Sequence, residues 1–188
     1  MANITTDPLK GADIARVKAI VQHSPRDSAL FIMGTNTAFR AGDILSLNCG
    51  DVRSLKVGST LSIKEQKTGN KRPVTVNPLV VAALQRLLAD REPIDDDAPL
   101  FIGQKRRTRL TVSAYGRMVK DWCEQAGLEG QFSSHTLRKT FGYTMRKQHG
   151  LDLAVIQDMY GHSSGKVTLK YVGIQAEELA AAYMLGVQ

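Results

Sequence analysis

Apolar residues recur every three or four positions along most of the chain, which is the spacing of helices that bury one face. The first predicted helix starts at the tripeptide Thr-Asp-Pro near residue 6 and runs to about residue 22. Its apolar face consists of Ile14, Val17, Ile20 and Val21. The same reasoning predicts further helices at about residues 27–35, 41–47, 78–90, 111–126, 134–149, 152–160 and 175–185.

The apolar period changes to two in the segment STLSIKEQKTGNKRPVTVN, where Leu61 and Ile63 precede the residues TGNK and Val74 and Val76 follow them. This alternation predicts a β-hairpin with a mobile basic tip. The acidic stretch EPIDDDAP is the one linker-like segment, and it is too short to separate domains. We therefore expect a single domain over residues 1–188 that is mainly α with a small antiparallel β-sheet (α+β).

The composition is that of an ordinary globular protein, with 43% hydrophobic and 23% charged residues. No apolar run approaches the length of a membrane span, and the first ten residues lack the pattern of a signal peptide. Cys49 and Cys123 are too few and too far apart for a zinc motif or a disulfide framework. We expect two buried thiols in a cytoplasmic protein that has no membrane partner.

The positive charge is concentrated in one part of the sequence. Residues 101–150 contain ten Lys and Arg against three Asp and Glu, whereas the formal charge of the whole chain is +7. A basic surface alone is common, but this excess includes the run QKRRTR and lies beside a helix start that is itself cationic. The clustering favours a polyphosphate partner, most simply nucleic acid.

That cationic helix start lies in the segment SSHTLRKTFGYTMRKQHG, where Ser133 and Ser134 are candidates for the N-cap. His135 and Arg138 are three residues apart and therefore share a face at the amino end. The helix dipole is positive there, so a cation is disfavoured unless an anion binds beside it. The pattern predicts an anion site.

Four other residues have a simple structural interpretation when each is considered alone. An arginine at a helix start, such as Arg40, is usually a surface residue. A lysine at a hairpin tip, such as Lys67, usually discourages edge-to-edge aggregation. His162 after a glycine is consistent with a helix C-terminal cap, and Tyr171 with a core tyrosine.

Together with the cationic helix, these residues resemble the tyrosine recombinase (phage integrase) family. The local sequences TAFRAGDILSLNCGDV and HTLRKTFGYTMRKQHGLDLAVIQDMYGHSS resemble its two conserved boxes, and the resemblance extends over residues 7–185. Lys139 stands where many members have a second histidine, and Asp43 where glutamate is usual. We expect the N-terminal DNA-clamping (core-binding) domain of the family to be absent. The six catalytic positions correspond to Arg40, Lys67, His135, Arg138, His162 and Tyr171.

The resemblance implies a site-specific DNA recombinase or integrase, of phage or mobile-element type, that acts through a covalent 3′-phosphotyrosyl intermediate. The residue types suit that chemistry, because tyrosine is a reversible nucleophile and the planar forks of Arg40 and Arg138 match phosphate oxygens. Lys67 is placed to protonate the leaving 5′-oxygen. No metal or other cofactor is expected, because permanent cations supply the positive charge.

The two histidines complete the predicted chemistry. His135 should have a lowered pKa at the positive helix end, and as a neutral imidazole it can help to deprotonate Tyr171. His162 would donate to a phosphate oxygen or brace the site. Among the competing tyrosines, Tyr143 and Tyr160 are predicted to be core residues, and Tyr183 falls in the apolar stretch LAAAYML.

The expected partner is duplex DNA, with a homo-tetramer on synapsed DNA and a monomer or weak oligomer when free. The C-terminal amphipathic segment packs either on its own domain or on a neighbouring protomer. The alternatives in function are a non-catalytic DNA-binding regulator of the same fold and a type IB topoisomerase. The predicted DNA contacts are Lys71, Arg72, Lys105, Arg106, Arg107, Arg109 and Lys139.

Overall fold

The computed structural model describes residues 6–65, 69–91, 94–103, 108–162, 164–172 and 184, without the side chains of residues 166 and 170–172. Within these residues the chain is mainly helical with one β-hairpin, which confirms the predicted fold class. In chain order the elements are α1 (Ala12–Val21), α2 (Pro25–Asn36), α3 (Ala41–Ser46), α4 (Gly50–Arg53), β1 (Thr60–Lys64), β2 (Lys71–Thr75), α5 (Pro78–Arg91), α6 (Val112–Gln125), α7 (Ser134–Lys147), α8 (Leu153–Tyr160) and α9 (Gly165–Val172).

The hairpin forms as the alternating pattern predicts. β1 and β2 pair in antiparallel fashion, with Leu61 opposite Val74 and Ile63 opposite Arg72. Leu61 and Ile63 are buried, so one face of the hairpin packs onto the helical core. The predicted mobile tip lies outside the described residues.

The core forms around α2, which packs against α5, α7 and α1. Leu30, Phe31 and Met33 of α2 are fully buried in the same core cluster as Leu84 of α5 and Leu137 of α7. A smaller cluster joins α7 to α8. Its buried members are Ala38, Phe141, Ile156 and Tyr160. The functional residues described below lie around this second cluster.

The first helix starts later than predicted. It begins at Ala12. The backbone N–H groups of residues before it donate to distant parts of the fold instead of forming helical hydrogen bonds. The N–H of Asp7 donates to the carbonyl of Gln131 at 2.9 Å, and the N–H of Leu9 donates to Oγ1 of Thr140 at 2.8 Å. Tertiary hydrogen bonds therefore override the local helix signal in these residues.

Two helices of the described residues, α4 and α9, were not predicted. In α9 the β-branched residues Val167 and Thr168 lower the intrinsic helix propensity, and the helix is supported by packing against α7 and α8. The predicted helices that lie in the described residues are all present, with boundaries shifted by a few residues. The helix predicted at 175–185 falls outside the described residues.

The cysteine prediction is confirmed, since Cys49 and Cys123 are both buried and unbridged. Burial raises the pKa of the Cys123 thiol to about 12, which makes it unreactive. Across the described part of the chain, every helix is too short or too polar to cross a bilayer.

Candidate active site

The amino end of α7 is built as the sequence predicts, with Ser133 as the N-cap. Ser133 and Thr136 form a capping box, in which the N–H of Ser133 donates to Oγ1 of Thr136 at 3.1 Å. Oγ of Ser133 also accepts from the N–H of His135 at 3.2 Å. The first turn contains no acidic residue to offset the dipole. From this turn the His135 side chain reaches solvent, whereas Arg138 is 3% exposed.

Arg138 is held in place by the protein alone. Its guanidinium donates through Nη1 to the carbonyl of Ala38 and through Nη2 to the carbonyl of Tyr160, the latter at 3.1 Å. It also lies 4.6 Å from the centroid of the Tyr160 ring, within cation–π range. Ala38 has a φ of 52°, an uncommon conformation for a residue with a side chain, just before Arg40. These contacts orient the arginine before any ligand binds.

Arg40 is the N-cap residue of α3, and its side chain lies beside two buried carboxylates. Its Nη1 donates to Oε1 of Glu65 at 2.5 Å, and it lies 3.9 Å from Oδ2 of Asp43. Nη1 of Arg72 approaches the same Glu65 oxygen at 3.4 Å. The Arg40 side chain remains 24% exposed, so it is the member of this group that a ligand can reach most readily.

Glu65 was missed by the sequence reasoning. It continues the alternation of Leu61 and Ile63 by one more step, which assigns it to the buried face of the hairpin. A charged residue at an inward position of a strand is rarely buried without a partner. A charged side chain at an inward position of the strand could therefore have identified Glu65 from the sequence.

His162 is placed by the end of α8. Gly161 adopts the left-handed conformation with a φ of 62°, which ends the helix. The imidazole then stacks on Tyr160 with ring centroids 4.9 Å apart and an interplanar angle of 8°. Its Nδ1 lies 3.1 Å from Oγ1 of Thr168, and its Nε2 lies 3.4 Å from Nη2 of Arg138.

These contacts define the protonation of His162. Burial, followed by the charges of Arg138, Arg40 and Arg72, lowers its pKa to about 4, so the imidazole is neutral at neutral pH. Because a guanidinium only donates, Nε2 must be the acceptor and Nδ1 must carry the proton given to Thr168. The hydrogen bond connects the site to α9.

The pKa of His135 is also lowered, in the direction that we predicted. The causes are partial burial, which still leaves the side chain accessible to solvent, and the neighbouring charges of Arg138, Lys139 and Arg40. A neutral imidazole can accept a proton, so His135 has the protonation state that a general base needs.

Four of the six predicted catalytic residues therefore lie together around Tyr160 and Glu65, namely Arg40, His135, Arg138 and His162. Tyr171 lies in α9, three residues after Thr168. Its side chain and all of Lys67 lie outside the description, so their positions in the site stay predictions.

Arg72, a predicted DNA contact, lies inside the protein. Its guanidinium donates to the carbonyls of Tyr160 and Thr37 at 2.9 and 3.4 Å and lies 4.7 Å from the Phe39 ring. Burial lowers its pKa. These bonds tie the hairpin to α8, and a phosphate contact by Arg72 stays a prediction.

Lys139 and Arg109 are also bonded to the protein itself. Nζ of Lys139 donates to the carbonyl of Thr6 at 2.7 Å. Arg109 donates to two carbonyls at the end of α3 and to Oδ1 of Asn48. Lys71 is exposed and accessible to a ligand. The remaining predicted contacts, Lys105, Arg106 and Arg107, lie outside the described residues.

The other tyrosines divide into two groups. Tyr160 is fully buried, as predicted, and so is Tyr115, whose hydroxyl donates to the carbonyl of Leu30 at 2.8 Å. Burial raises the pKa of Tyr115, which makes it a poor nucleophile. Tyr143 is only half-buried beneath Lys10, so the prediction that it is a core residue was wrong. Tyr183 lies outside the described residues.

Comparison with known proteins finds integrases and recombinases. The profile of the Phage integrase family matches residues 10–178. The probable integrase/recombinase YoeC of Bacillus subtilis (strain 168) is 34% identical over 166 residues, which cover 87% of this chain and 86% of that protein. The chain spans about half the length of several XerC and XerD tyrosine recombinases that it also matches.

Solved structures match the fold. The crystal structure of XerA recombinase superposes with a TM-score of 0.79 at 26% identity, covering 94% of this chain and 64% of that one. The structure of XerH bound to palindromic difH substrate, a post-cleavage complex, superposes with a TM-score of 0.76 at 22% identity. The match covers 98% of this chain and 54% of that one. At that identity the XerH match shows the shared fold alone.

Proposed function

Because this chain belongs to the phage integrase family, we propose that it cuts and rejoins duplex DNA as a site-specific tyrosine recombinase. The observation that carries the proposal is the meeting of Arg40, Arg138, His135 and His162 at the amino end of α7. These residues come from three separate parts of the chain and converge beside the helix that contains Tyr171.

The charges of this cluster suit a phosphate. Among the described residues, Arg40, Arg72 and Arg138 supply three positive charges, and Glu65 and Asp43 supply two negative ones, so this part of the cluster has a net positive charge. The imidazoles of His135 and His162 add no positive charge at neutral pH, because their pKa values are lowered. Burial strengthens the attraction for an anion, since the surrounding dielectric is lower than that of water. A scissile DNA phosphate supplies the negative charge that this cluster attracts.

The proposed reaction forms one bond to phosphorus and breaks another. The Tyr171 oxygen attacks the phosphate and yields a 3′-phosphotyrosyl link while the P–O5′ bond breaks. His135 accepts the tyrosine proton, and Lys67 gives a proton to the departing 5′-oxygen. Arg40 and Arg138 neutralise the non-bridging oxygens of the five-coordinate transition state. Rejoining is the reverse reaction, with the 5′-hydroxyl of a new strand as the nucleophile.

His162 has a positioning role in this scheme. It contacts Arg138 through Nε2 and Thr168 through Nδ1, and thereby joins the phosphate-binding arginine to α9. With Nε2 facing Arg138 and no proton of its own there, the imidazole fixes the guanidinium rather than donating to the phosphate. This assignment favours the bracing role over the donor role.

On DNA, we propose assembly as a homo-tetramer around two synapsed duplexes, with a monomer or weak oligomer in free solution. The support is membership of the integrase family. Recombination requires four strand cuts, and one Tyr171 per protomer supplies four nucleophiles to a tetramer. Light scattering with and without a cleavable duplex pair measures the assembly.

The function is tested by trapping the covalent intermediate. A pool of randomised duplexes is nicked a few nucleotides 3′ of each potential cleavage point, so that the short 5′-hydroxyl fragment diffuses away and rejoining is blocked. The parent should form a protein–DNA adduct that survives denaturing electrophoresis, and sequencing of the trapped DNA gives the target. Tyr171→Phe should bind DNA without forming an adduct, whereas Tyr183→Phe should still form it. An adduct with the Tyr171 variant would refute the assignment of the nucleophile.

A further inference from the structure

Glu65 occupies the centre of the cluster, although it corresponds to none of the six catalytic positions. The residue directly follows β1, and 4% of its surface is exposed. Its Oε1 accepts from Arg40 at 2.5 Å and lies 3.4 Å from Nη1 of Arg72. The same oxygen is 3.9 Å from the point where a Cβ on Gly161 would lie, directly before His162. Glu65 therefore contacts the arginines of α3 and β2 and lies close to the end of α8.

The carboxylate constrains Arg40 strongly. A charge-assisted hydrogen bond in a desolvated place is stronger than one in water and has a defined direction. Arg40 has five N–H donors in a rigid fork, and Glu65 engages one terminal nitrogen of that fork. Because the fork is planar and rigid, fixing one nitrogen also limits the orientation of the other donors. Without this bond a partly exposed arginine would sample several rotamers.

The same carboxylate opposes a phosphate. It carries a negative charge beside the guanidinium that a phosphate must contact, so it weakens the attraction of the site for DNA. Its field also raises the pKa of His162 against the larger lowering effects of burial and the arginines. A group that orients the catalytic arginine while it repels the substrate should have opposite effects on rate and on affinity.

We propose that Glu65 is a positioning residue for strand cleavage, which orients Arg40 for the transition state at the expense of ground-state affinity for DNA. The inference rests on the proposed recombinase function. Removal of the negative charge in Glu65→Gln should tighten DNA binding two- to five-fold. The same change should slow cleavage at saturating DNA by ten-fold or more, because an amide holds Arg40 less firmly.

The experiment separates affinity from rate. Binding is measured by fluorescence anisotropy on a target duplex in a Tyr171→Phe background, where no adduct interferes. Cleavage is measured as single-turnover adduct formation on the nicked duplex. Glu124→Gln is the matched control, because it removes the same charge from an exposed position on α6. Circular dichroism and urea unfolding show whether each variant is folded.

Two further variants identify the partner of Glu65. Glu65→Asp keeps the charge but shortens the side chain, so it should bind DNA like the parent and cleave more slowly. Replacement of Arg40 by Ala should remove the benefit of Glu65, and the double variant Arg40→Ala, Glu65→Gln should then be no slower than Arg40→Ala alone.

The outcomes separate this inference from the proposed function. Tighter binding with slower cleavage, together with non-additivity in the double variant, supports the positioning role. A folded Glu65→Gln variant that cleaves like the parent overturns it, as do equal losses of binding and cleavage or additive effects in the double variant. A folded parent that binds DNA and never forms an adduct refutes the recombinase function itself, and the role of Glu65 with it.

Discussion

Arg138 and Tyr160 contact each other reciprocally. Nη2 of Arg138 donates to the carbonyl of Tyr160 at 3.1 Å, and the hydroxyl of Tyr160 donates back to the carbonyl of Arg138 at 2.5 Å. The guanidinium also lies 4.6 Å from the tyrosine ring. A side chain that our sequence reasoning assigned only to the core therefore fixes both the backbone and the side chain of a candidate catalytic arginine.

We expect Gly142→Ala to disrupt this pair. An added Cβ would lie 2.3 Å from the hydroxyl of Tyr160, which must then move away from the Arg138 carbonyl. Alanine inside a helix normally adds about 1 kcal/mol of stability over glycine. Here the free energy of unfolding should instead fall by about 1–3 kcal/mol, measured by urea titration. Single-turnover adduct formation should slow as well.

Gly116→Ala is the matched control for that prediction. Gly116 also lies inside a helix, but an added Cβ would come no closer than 3.8 Å to the nearest described atom. This variant should be as stable as the parent or more stable by up to about 1 kcal/mol. If both variants gained stability equally, the close contact between α7 and Tyr160 would be refuted.

The stability of the protein should decline in mild acid through His162. An unfolded imidazole binds its proton near pH 6.5, whereas the folded His162 does so only near pH 4. Between these values the unfolded state binds more protons, so the free energy of unfolding falls as the pH is lowered and levels off below about 4. His135 contributes in the same direction.

Urea unfolding between pH 7.5 and pH 4 measures this effect. Over that interval His162→Asn should lose about 1–2 kcal/mol less stability than the parent, after allowance for partial exposure of the imidazole. His23→Asn, which removes an exposed histidine just after α1, is the surface control for this comparison. Identical slopes for parent and His162→Asn would contradict the neutral buried imidazole.

Cleavage should not require a divalent metal. The proposed transition-state charge is neutralised by Arg40, Arg138 and Lys67, and guanidinium forks bind phosphate oxygens directly. We expect the same rate of adduct formation in excess EDTA as in Mg²⁺. Activity that EDTA abolishes and Mg²⁺ restores would show that the chemistry of the site has been misassigned.

DNA binding by this chain should be weak, largely independent of sequence and strongly salt-dependent. The net charge of residues 101–150 is +7, and if about five phosphates are neutralised, the log–log slope of affinity against salt should be about −4 to −5. Anisotropy titrations across salt should give dissociation constants of roughly micromolar or weaker at physiological ionic strength.

Charge reversal identifies the residues responsible. Arg106→Glu with Arg107→Glu should lower affinity about equally for all sequences, as loss of phosphate contacts does. Lys18→Glu, an exposed position in a part of the chain with little net charge, should have a much smaller effect. Nanomolar, salt-insensitive binding to one sequence would contradict this interpretation.

The sequence by itself determined the local elements and the chemical identity of the site. Apolar spacing predicted the hairpin and the helices that correspond to α2, α5, α6, α7 and α8, because these elements depend on contacts between residues close in sequence. The capping serine of α7 was visible for the same reason. The order and spacing of the charged residues indicated the family, which the family match confirms.

Only the tertiary structure decided how those residues are held. Arg138 depends on a carbonyl 22 residues away, and Arg40 on a carboxylate 25 residues away. Arg72 donates to a carbonyl 88 residues distant, inside the protein. Tyr160 and Glu65 acquire these roles because packing brings α3, α7, α8 and the hairpin to one point, where desolvation makes each hydrogen bond strong. Such partners leave no periodic signal in the sequence, because the number of residues between them follows no regular spacing.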